Sequence, residues 1–246
     1  MAEGFGRRPM NPAARSSSSR CRVSGMNIMT NIETAAVSDQ PVVFVVDDDV
    51  SVRDALADLL RSVGLQVESF ASAQEFLSSK RPNAPGCIVL DVRLPGQSGL
   101  EFQRTLTKSG ILLPVIFVSG HGDISMSVEA IKAGAIDFLT KPLHEQKLLD
   151  AIQAGIERDR VRRGEEKSTA HLRERFNSLT PREREVFAIV VTGRQNKQIA
   201  AELKLSEMTV KIHRGQMMRK MGAKSVVELV RMSDALSAAT DNSRAP

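Results

Sequence analysis

The chemistry of this chain starts from its acidic residues and where they fall. Asp47, Asp48 and Asp49 run consecutively behind the apolar stretch Val42–Val46, and Asp91 closes the run Cys87-Ile88-Val89-Leu90. Two further groups follow later apolar runs: the Ser119 hydroxyl after Val115–Val118, and the Lys141 ammonium just beyond Ala135–Leu139. Clustered carboxylates raise one another's pKa unless a cation intervenes. Hard oxygen donors with few other ligands suit Mg2+, which keeps several waters and readily shares a phosphate. In such a site Asp91 would attack a phosphoryl donor as a carboxylate nucleophile. The metal and Lys141 would neutralise charge on the transferring group, and Ser119 would hydrogen-bond one of its oxygens.

These groups meet only if the intervening elements bring them to one edge. The apolar runs Val42–Val46, Leu65–Phe70, Cys87–Leu90, Val115–Val118 and Ala135–Leu139 read as strands. Val50–Val63, Ala73–Ser79, Gly99–Ser109, Ile124–Ala133 and Leu143–Arg158 read as the helices between them. Five βα units in series predict an α/β fold with a doubly wound, five-stranded parallel sheet covered on both faces. Sites in such folds lie at the carboxyl ends of the strands, where the acidic residues, Ser119 and Lys141 all fall. Each residue alone has a plainer reading. Asp49 is expected to be a helix N-cap, while Ser119, Lys141 and Phe138 taken singly would be structural. Their coincidence at four strand ends favours the chemical reading. A phosphohydrolase of the haloacid-dehalogenase type, with Asp47 as nucleophile and Asp49 as acid/base, would leave Asp91 idle and lacks a later acidic motif.

Residues 1–40 are rich in Ser, Asn, Pro, Ala and Arg and are expected to be a disordered leader. Residues 41–158 form the predicted sheet domain, 159–177 a charged linker continuing the preceding helix for a turn or two, and 178–246 a small all-α domain. In the last, Thr180-Pro181-Arg182-Glu183 is a helix start signal, with helices predicted over Pro181–Thr192, Lys197–Leu203, Glu207–Met221 and Ser225–Leu236. A helix, a short turn and a longer helix make a helix-turn-helix. On the wheel of the longer helix, Val210, Arg214, Met217 and Met221 face inward. Ile212, Gly215 and Arg219 face outward with Lys211 and Gln216 flanking them, and Thr209, His213 and Lys220 line an edge suited to phosphate. Such a face can enter the major groove, Lys reaching guanine acceptors and Ile a thymine methyl. Lys197 on the preceding helix joins the candidate DNA contacts. An amphipathic helix with a solvated basic face would show the same pattern.

Charge supports two jobs. Residues 41–155 carry 14 acidic against 10 basic side chains, and residues 176–246 carry 7 against 12. A basic half suits nucleic acid. Cys21 and Cys87 form neither a metal spacing nor a disulfide framework, which fits a reducing cytoplasm. No apolar run approaches bilayer length, so no membrane association is expected.

Val45-Val46-Asp47-Asp48-Asp49, the stretch from Leu90 to Gly99, Val118-Ser119-Gly120-His121-Gly122-Asp123 and Asp137-Phe138-Leu139-Thr140-Lys141-Pro142 together resemble the receiver domains of two-component response regulators. Leu179-Thr180-Pro181-Arg182-Glu183, Asn196 to Leu203 and Ser206 to Arg214 resemble the LuxR-type helix-turn-helix. The combination resembles the NarL/FixJ class, nearer FixJ-like members in the Ser119-Gly120-His121-Gly122-Asp123 and His213-Arg214 stretches. The resemblance implies Asp91 as phosphoacceptor, and Mg2+ held by Asp48, Asp91 and the backbone carbonyl of Arg93, with Asp47 helping through water. It further implies a cis Lys141–Pro142 bond, a Phe138 ring that follows Ser119, and self-directed phosphoryl chemistry rather than turnover of a separate substrate. Expected partners are a sensor histidine kinase, promoter DNA, a second copy of the phosphorylated chain and RNA polymerase. Two departures stand out: Gly215 offers no side chain where a base contact could form, and Arg214 faces inward.

Overall fold

A computed structural model describes residues 40–120 and 124–242, with side chains as far as 238. The leader expectation and His121 lie outside the described residues, apart from Gln40. Strands β1 (Val42–Val46), β2 (Gln66–Phe70), β3 (Gly86–Asp91), β6 (Val115–Ser119) and β7 (Asp137–Thr140) form one sheet in the order β2-β1-β3-β6-β7, every neighbouring pair parallel. Around them run α1 (Val50–Ser62), α2 (Ala73–Ser78), α3 (Gly99–Lys108), α4 (Ile124–Lys132) and α5 (Glu145–Asn177). The expected sheet and crossover helices are present.

The central strands read as unbroken apolar runs because both their faces are covered. Val43, Val45, Cys87, Val89, Ile116 and Val118 point to a layer filled by Leu56 and Leu60 of α1 and Leu148, Ile152 and Ile156 of α5. The alternate residues Phe44, Val46, Ile88, Leu90 and Phe117 meet Phe76, Phe102, Leu106 and Ala130 from α2, α3 and α4. There Phe76 packs edge-on against Phe44, Phe70 and Phe102 at 5.6, 5.3 and 5.8 Å between centroids, an arrangement that aromatic quadrupoles favour.

Local chemistry sets the helix starts. Asp49 caps α1 by accepting from the Ser51 N–H at 2.8 Å, as its position behind a strand suggested. Ser98 and Glu101 form a capping box for α3. A short antiparallel hairpin, β4 (Arg93–Leu94) with β5 (Gln97–Ser98), follows Asp91 and had no counterpart in the sequence reading. Gly96, at φ +85°, makes its turn. The last strand starts two residues later than expected, because the Ala135 N–H turns back to the carbonyl of Ala130 and closes α4.

The largest difference lies in α5, which runs unbroken for 33 residues through the segment expected to be a linker. Beyond it come α6 (Pro181–Val190), α7 (Asn196–Leu203), α8 (Glu207–Met221) and α9 (Val226–Asn242). Thr180 caps α6 with Pro181 at its first position, Ser206 caps α8, and Gly222 ends α8 at φ +72°. Leu179, Val186, Phe187, Val190, Ile199, Val210, Met217, Met221 and Leu229 make a separate core, against which Leu172 and Phe176 of α5 pack. Among the described residues no helix is long and apolar enough to cross a membrane.

Candidate functional site

Register brings the polar groups together. Val46 pairs with Leu90, Asp91 with Val118 and Ser119 with Thr140, so Asp47, Asp91, Ser119 and Lys141 all arrive at the carboxyl edge. The backbone N–H of Lys141 donates to the Ser119 carbonyl at 2.7 Å, and the Lys141–Pro142 bond is cis. The Lys141 ammonium lies between two carboxylates, 2.8 Å from Asp47 Oδ2 and 3.1 Å from Asp91 Oδ1. Asp91 Oδ2 accepts the Arg93 N–H at 2.8 Å, and Asp47 Oδ1 accepts the Asp49 N–H at 2.9 Å. Gly99 closes in behind: a Cβ there would lie 2.6 Å from the Asp91 carbonyl oxygen, so only glycine allows α3 to begin here.

Asp47, Asp91 and Ser119 are buried, while Asp48 is exposed. Burial pushes the Asp91 carboxyl above its ordinary range, and the charge of Asp47 adds to it; the bonds from Lys141 and Arg93 only partly offset them. Burial works against the Lys141 ammonium too, but Asp47 and Asp91 outweigh it and hold the proton more firmly than usual. The pocket therefore remains short of positive charge even with Lys141 in place. Its donors are hard oxygens, which fit a small divalent cation. The carboxylates do not converge as three, however: among the described residues no cluster of three or more His, Cys, Asp or Glu side chains is arranged around a common metal position. Lys141 gathers Asp47 and Asp91, and Asp48 turns outward. Phe138 is half-buried on β7, its ring centroid 6.4 Å from that of Phe117.

For the phosphohydrolase alternative, Asp47 would need a free carboxylate and Asp49 a mobile one. Both oxygens of Asp47 are bonded, and Asp49 is fixed as the cap of α1.

On α8 the exposed residues include Lys211, Ile212, Gly215 and Arg219, with Lys197 exposed on α7. A Cβ at Gly215 would meet nothing within 4 Å, so the helix surface is bare at that point. Thr209 is half-buried and its hydroxyl shares a 2.8 Å bond with Ser206, while His213 is half-buried with Nδ1 enclosed. Arg214 does face inward, donating to Asn196 Oδ1 at 2.6 Å and tying α8 to α7. Lys220 corrects the sequence reading. Its ammonium lies 2.6 Å from Glu183 Oε2, on a side chain 2% exposed, and 3.3 Å from the Ser178 carbonyl. It points into the joint between α6 and α8, where the buried carboxylate demands a cation, and leaves the phosphate edge. Sequence reasoning also missed Arg53, which reaches the Asp47 carbonyl, and Asp159, fully buried on α5. An arginine one turn after an acidic strand end was the only signal for the first; for the second it was the pair of arginines three and four residues later, which bond Asp159.

Comparison with known proteins agrees with this geometry. Residues 43–153 match the response regulator receiver domain and residues 177–233 the bacterial regulatory proteins of the luxR family. Nodulation protein W of Bradyrhizobium diazoefficiens is 53% identical over 199 residues, 81% of this chain and 88% of its own. The response regulator TodT of Pseudomonas putida is 48% identical over 195 residues, 79% of this chain and 86% of its own. The transcriptional regulatory protein FixJ of Azorhizobium caulinodans is 44% identical over 191 residues, 78% and 90%. The solved structure of the response regulator StyR aligns with a TM-score of 0.72 at 48% identity, covering 79% of this chain and 98% of its own. A receiver implies a histidine kinase partner, and a LuxR-type domain implies DNA. The chain belongs to the two-component response regulators, transcription regulators that join a receiver domain to a LuxR-type helix-turn-helix.

Proposed function

We propose that Asp91 accepts a phosphoryl group from a sensor histidine kinase, in a Mg2+-dependent reaction in the cytoplasm. The observation that carries this reading is the buried Asp91 carboxylate, held by Lys141 beside Asp47 in a pocket short of positive charge. Asp48, Asp91 and the backbone carbonyl of Arg93 would hold the metal, with Asp47 helping through water. When bound, the metal supplies the positive charge that a transferring phosphoryl group requires. Lys141 then shifts part of its attraction from the carboxylates to the phosphoryl oxygens. Ser119 hydrogen-bonds one of those oxygens, and Phe138 follows it.

The face altered by this shift lies between Ile124 and Leu149. It carries Ile124, Val128 and Ile131 at 81, 45 and 48% exposure, an apolar surface suited to pairing with a second phosphorylated copy. Pairing would place two helix-turn-helix units about 34–36 Å apart over a two-fold symmetric promoter site. Lys197, Lys211, Ile212, Gly215 and Arg219 form the groove-facing set, with Thr209 and His213 at its edge. RNA polymerase is the further partner for a regulator so placed.

The test is incubation with acetyl phosphate and Mg2+, followed by mass spectrometry and sedimentation. One acid-labile phosphoryl group is expected, absent from Asp91→Asn, together with a shift from monomer to dimer and tighter binding to an inverted repeat. Unchanged labelling of Asp91→Asn overturns the reading of the site. A phosphorylated monomer with raised DNA affinity overturns the dimer and indicates relief of inhibition by the receiver.

A further inference from the structure

The acid pocket has a second cation behind it. Arg53, half-buried one turn into α1, donates from Nη1 to the backbone carbonyl of Asp47 at 2.7 Å. The bond completes a full set of partners for that aspartate. The Asp47 N–H reaches the Phe70 carbonyl at 3.2 Å, Oδ1 accepts from the Asp49 N–H at 2.9 Å, and Oδ2 accepts from Lys141 at 2.8 Å. Asp47 lies one residue beyond β1, where the chain leaves the sheet. Its main chain there depends on whatever the first turn of α1 returns to it. That turn is itself fixed by the same loop: Asp49 caps it through the Ser51 N–H, and the Arg53 N–H bonds the Asp49 carbonyl at 3.0 Å.

The charge has a matching logic. Asp47, Asp48 and Asp49 are consecutive, and two of the carboxyl groups here, those of Asp47 and Asp91, share one ammonium, that of Lys141. A guanidinium stays charged at every working pH and presents a rigid fork of donors. At Arg53 it is bonded to the Asp47 backbone carbonyl, so it adds positive charge beside the turn without taking up a carboxylate oxygen.

We propose that Arg53 is a positioning residue of the phosphorylation site. By holding the Asp47 carbonyl it fixes the β1–α1 turn, and so the direction in which Asp47 and Asp48 are offered to a divalent cation. The assignment rests on the reading of Asp91 and its neighbours as a metal-dependent phosphoacceptor site. Partners that orient metal-binding carboxylates change metal affinity about 10–100-fold when removed.

The experiment is a calorimetric Mg2+ titration of the full chain and of Arg53→Met, Arg53→Lys and Asp91→Asn. The 19F resonance of beryllofluoride bound with Mg2+ gives the spectroscopic readout. Methionine keeps the apolar stem of Arg53 and removes its donors, whereas lysine keeps a donor and the charge. Arg53→Met is expected to raise the Mg2+ dissociation constant about tenfold or more and to broaden or shift the beryllofluoride signal. Arg53→Lys is expected to recover most of both. Melting temperatures taken without Mg2+ register any merely structural loss, so the metal readouts are compared at temperatures where every variant is folded. A parental Mg2+ dissociation constant in Arg53→Met, or equal losses in the methionine and lysine variants, overturns the positioning role. Mg2+ binding unchanged in Asp91→Asn overturns the underlying site reading instead.

Discussion

Asp91 is 7% exposed, and its charge is only partly met by Lys141. Burying a carboxylate costs several kcal/mol unless its partners fully offset the lost hydration. Without a divalent cation the buried Asp91 charge is therefore expected to carry a local cost, which an incoming cation can offset. Asp91→Asn, which keeps the shape and removes the charge, is expected to melt higher than the parent at pH 7 in chelator. The gain should be about 2–4 °C for each 1 kcal/mol relieved, and calorimetry with and without Mg2+ measures it. A lower melting temperature in chelator would mean that the Asp91–Lys141 pair is a net support. This residue was legible in the sequence because a strand end is a fixed address: once the apolar runs are read as parallel strands, Asp47, Asp91, Ser119 and Lys141 share an edge by topology. Arg53 and Asp159 were harder to read, since each also holds a backbone group, the Asp47 carbonyl and the Gly86 N–H, which no side-chain pattern marks.

Between elements, the decisive contact of the DNA-binding half is the joint of α6 and α8. Glu183 closes the capping box of α6 and also receives the Lys220 ammonium from α8. A helical wheel gives the angle of Lys220 on α8 but not what the neighbouring helix offers there, and that is why the wheel placed it with phosphate. Lys220→Met would leave the Glu183 carboxylate without its partly exposed cation, a loss of about 1–3 kcal/mol and less than for a fully buried pair. We expect the second core to unfold that much more easily, with most of the loss recovered in Glu183→Gln/Lys220→Met. DNA titrations at several salt concentrations separate this role from a phosphate contact. A lost phosphate contact lowers the salt slope by about one, whereas here Lys220→Met should leave the slope unchanged and Lys211→Ala should alter sequence preference. The pair also sets a pH response. Burial alone would raise the Glu183 carboxyl, but the bonds from Lys220 and Thr180 outweigh it and hold the group below its ordinary value of 4.5. The unfolded chain therefore takes up the proton first as pH falls. The stabilisation is complete above about pH 4.5 and is lost as pH drops through the lower folded value. Urea unfolding of the parent should weaken over that interval more than that of Glu183→Gln, and parallel curves would count against the pair.

Across the whole molecule, one helix carries the connection between the two cores. Near its receiver end α5 is pinned by Asp159, fully buried, which accepts the Gly86 N–H at 3.0 Å, Arg162 Nη2 at 2.5 Å and Arg163 Nε at 2.6 Å. Near its other end Phe176 packs edge-on to Phe187 at 5.2 Å, and Arg175 donates to the Met221 carbonyl at 3.2 Å. Between these anchors no residue from 160 to 171 is buried, and Gly164 stands in the middle with open space where a side chain would be. The charge density of this stretch suggested a linker, and in composition it is one. It is helical because both ends are docked, since an isolated helix of about 12 residues is marginal in water. A glycine inside it costs about 1 kcal/mol relative to alanine, which makes Gly164 the weakest point of the connection. Gly164→Ala should stabilise the bridge by about that amount and slow amide exchange from 160 to 171 about fivefold. Gly164→Pro should break it, speeding tryptic cleavage at Lys167 while both cores keep their own melting transitions. If the bridge transmits the state of Asp91, the two substitutions must move the effect of acetyl phosphate on DNA affinity in opposite directions. Equal responses in both would show that the receiver acts on the helix-turn-helix through pairing of chains alone, with the helix serving only as a tether.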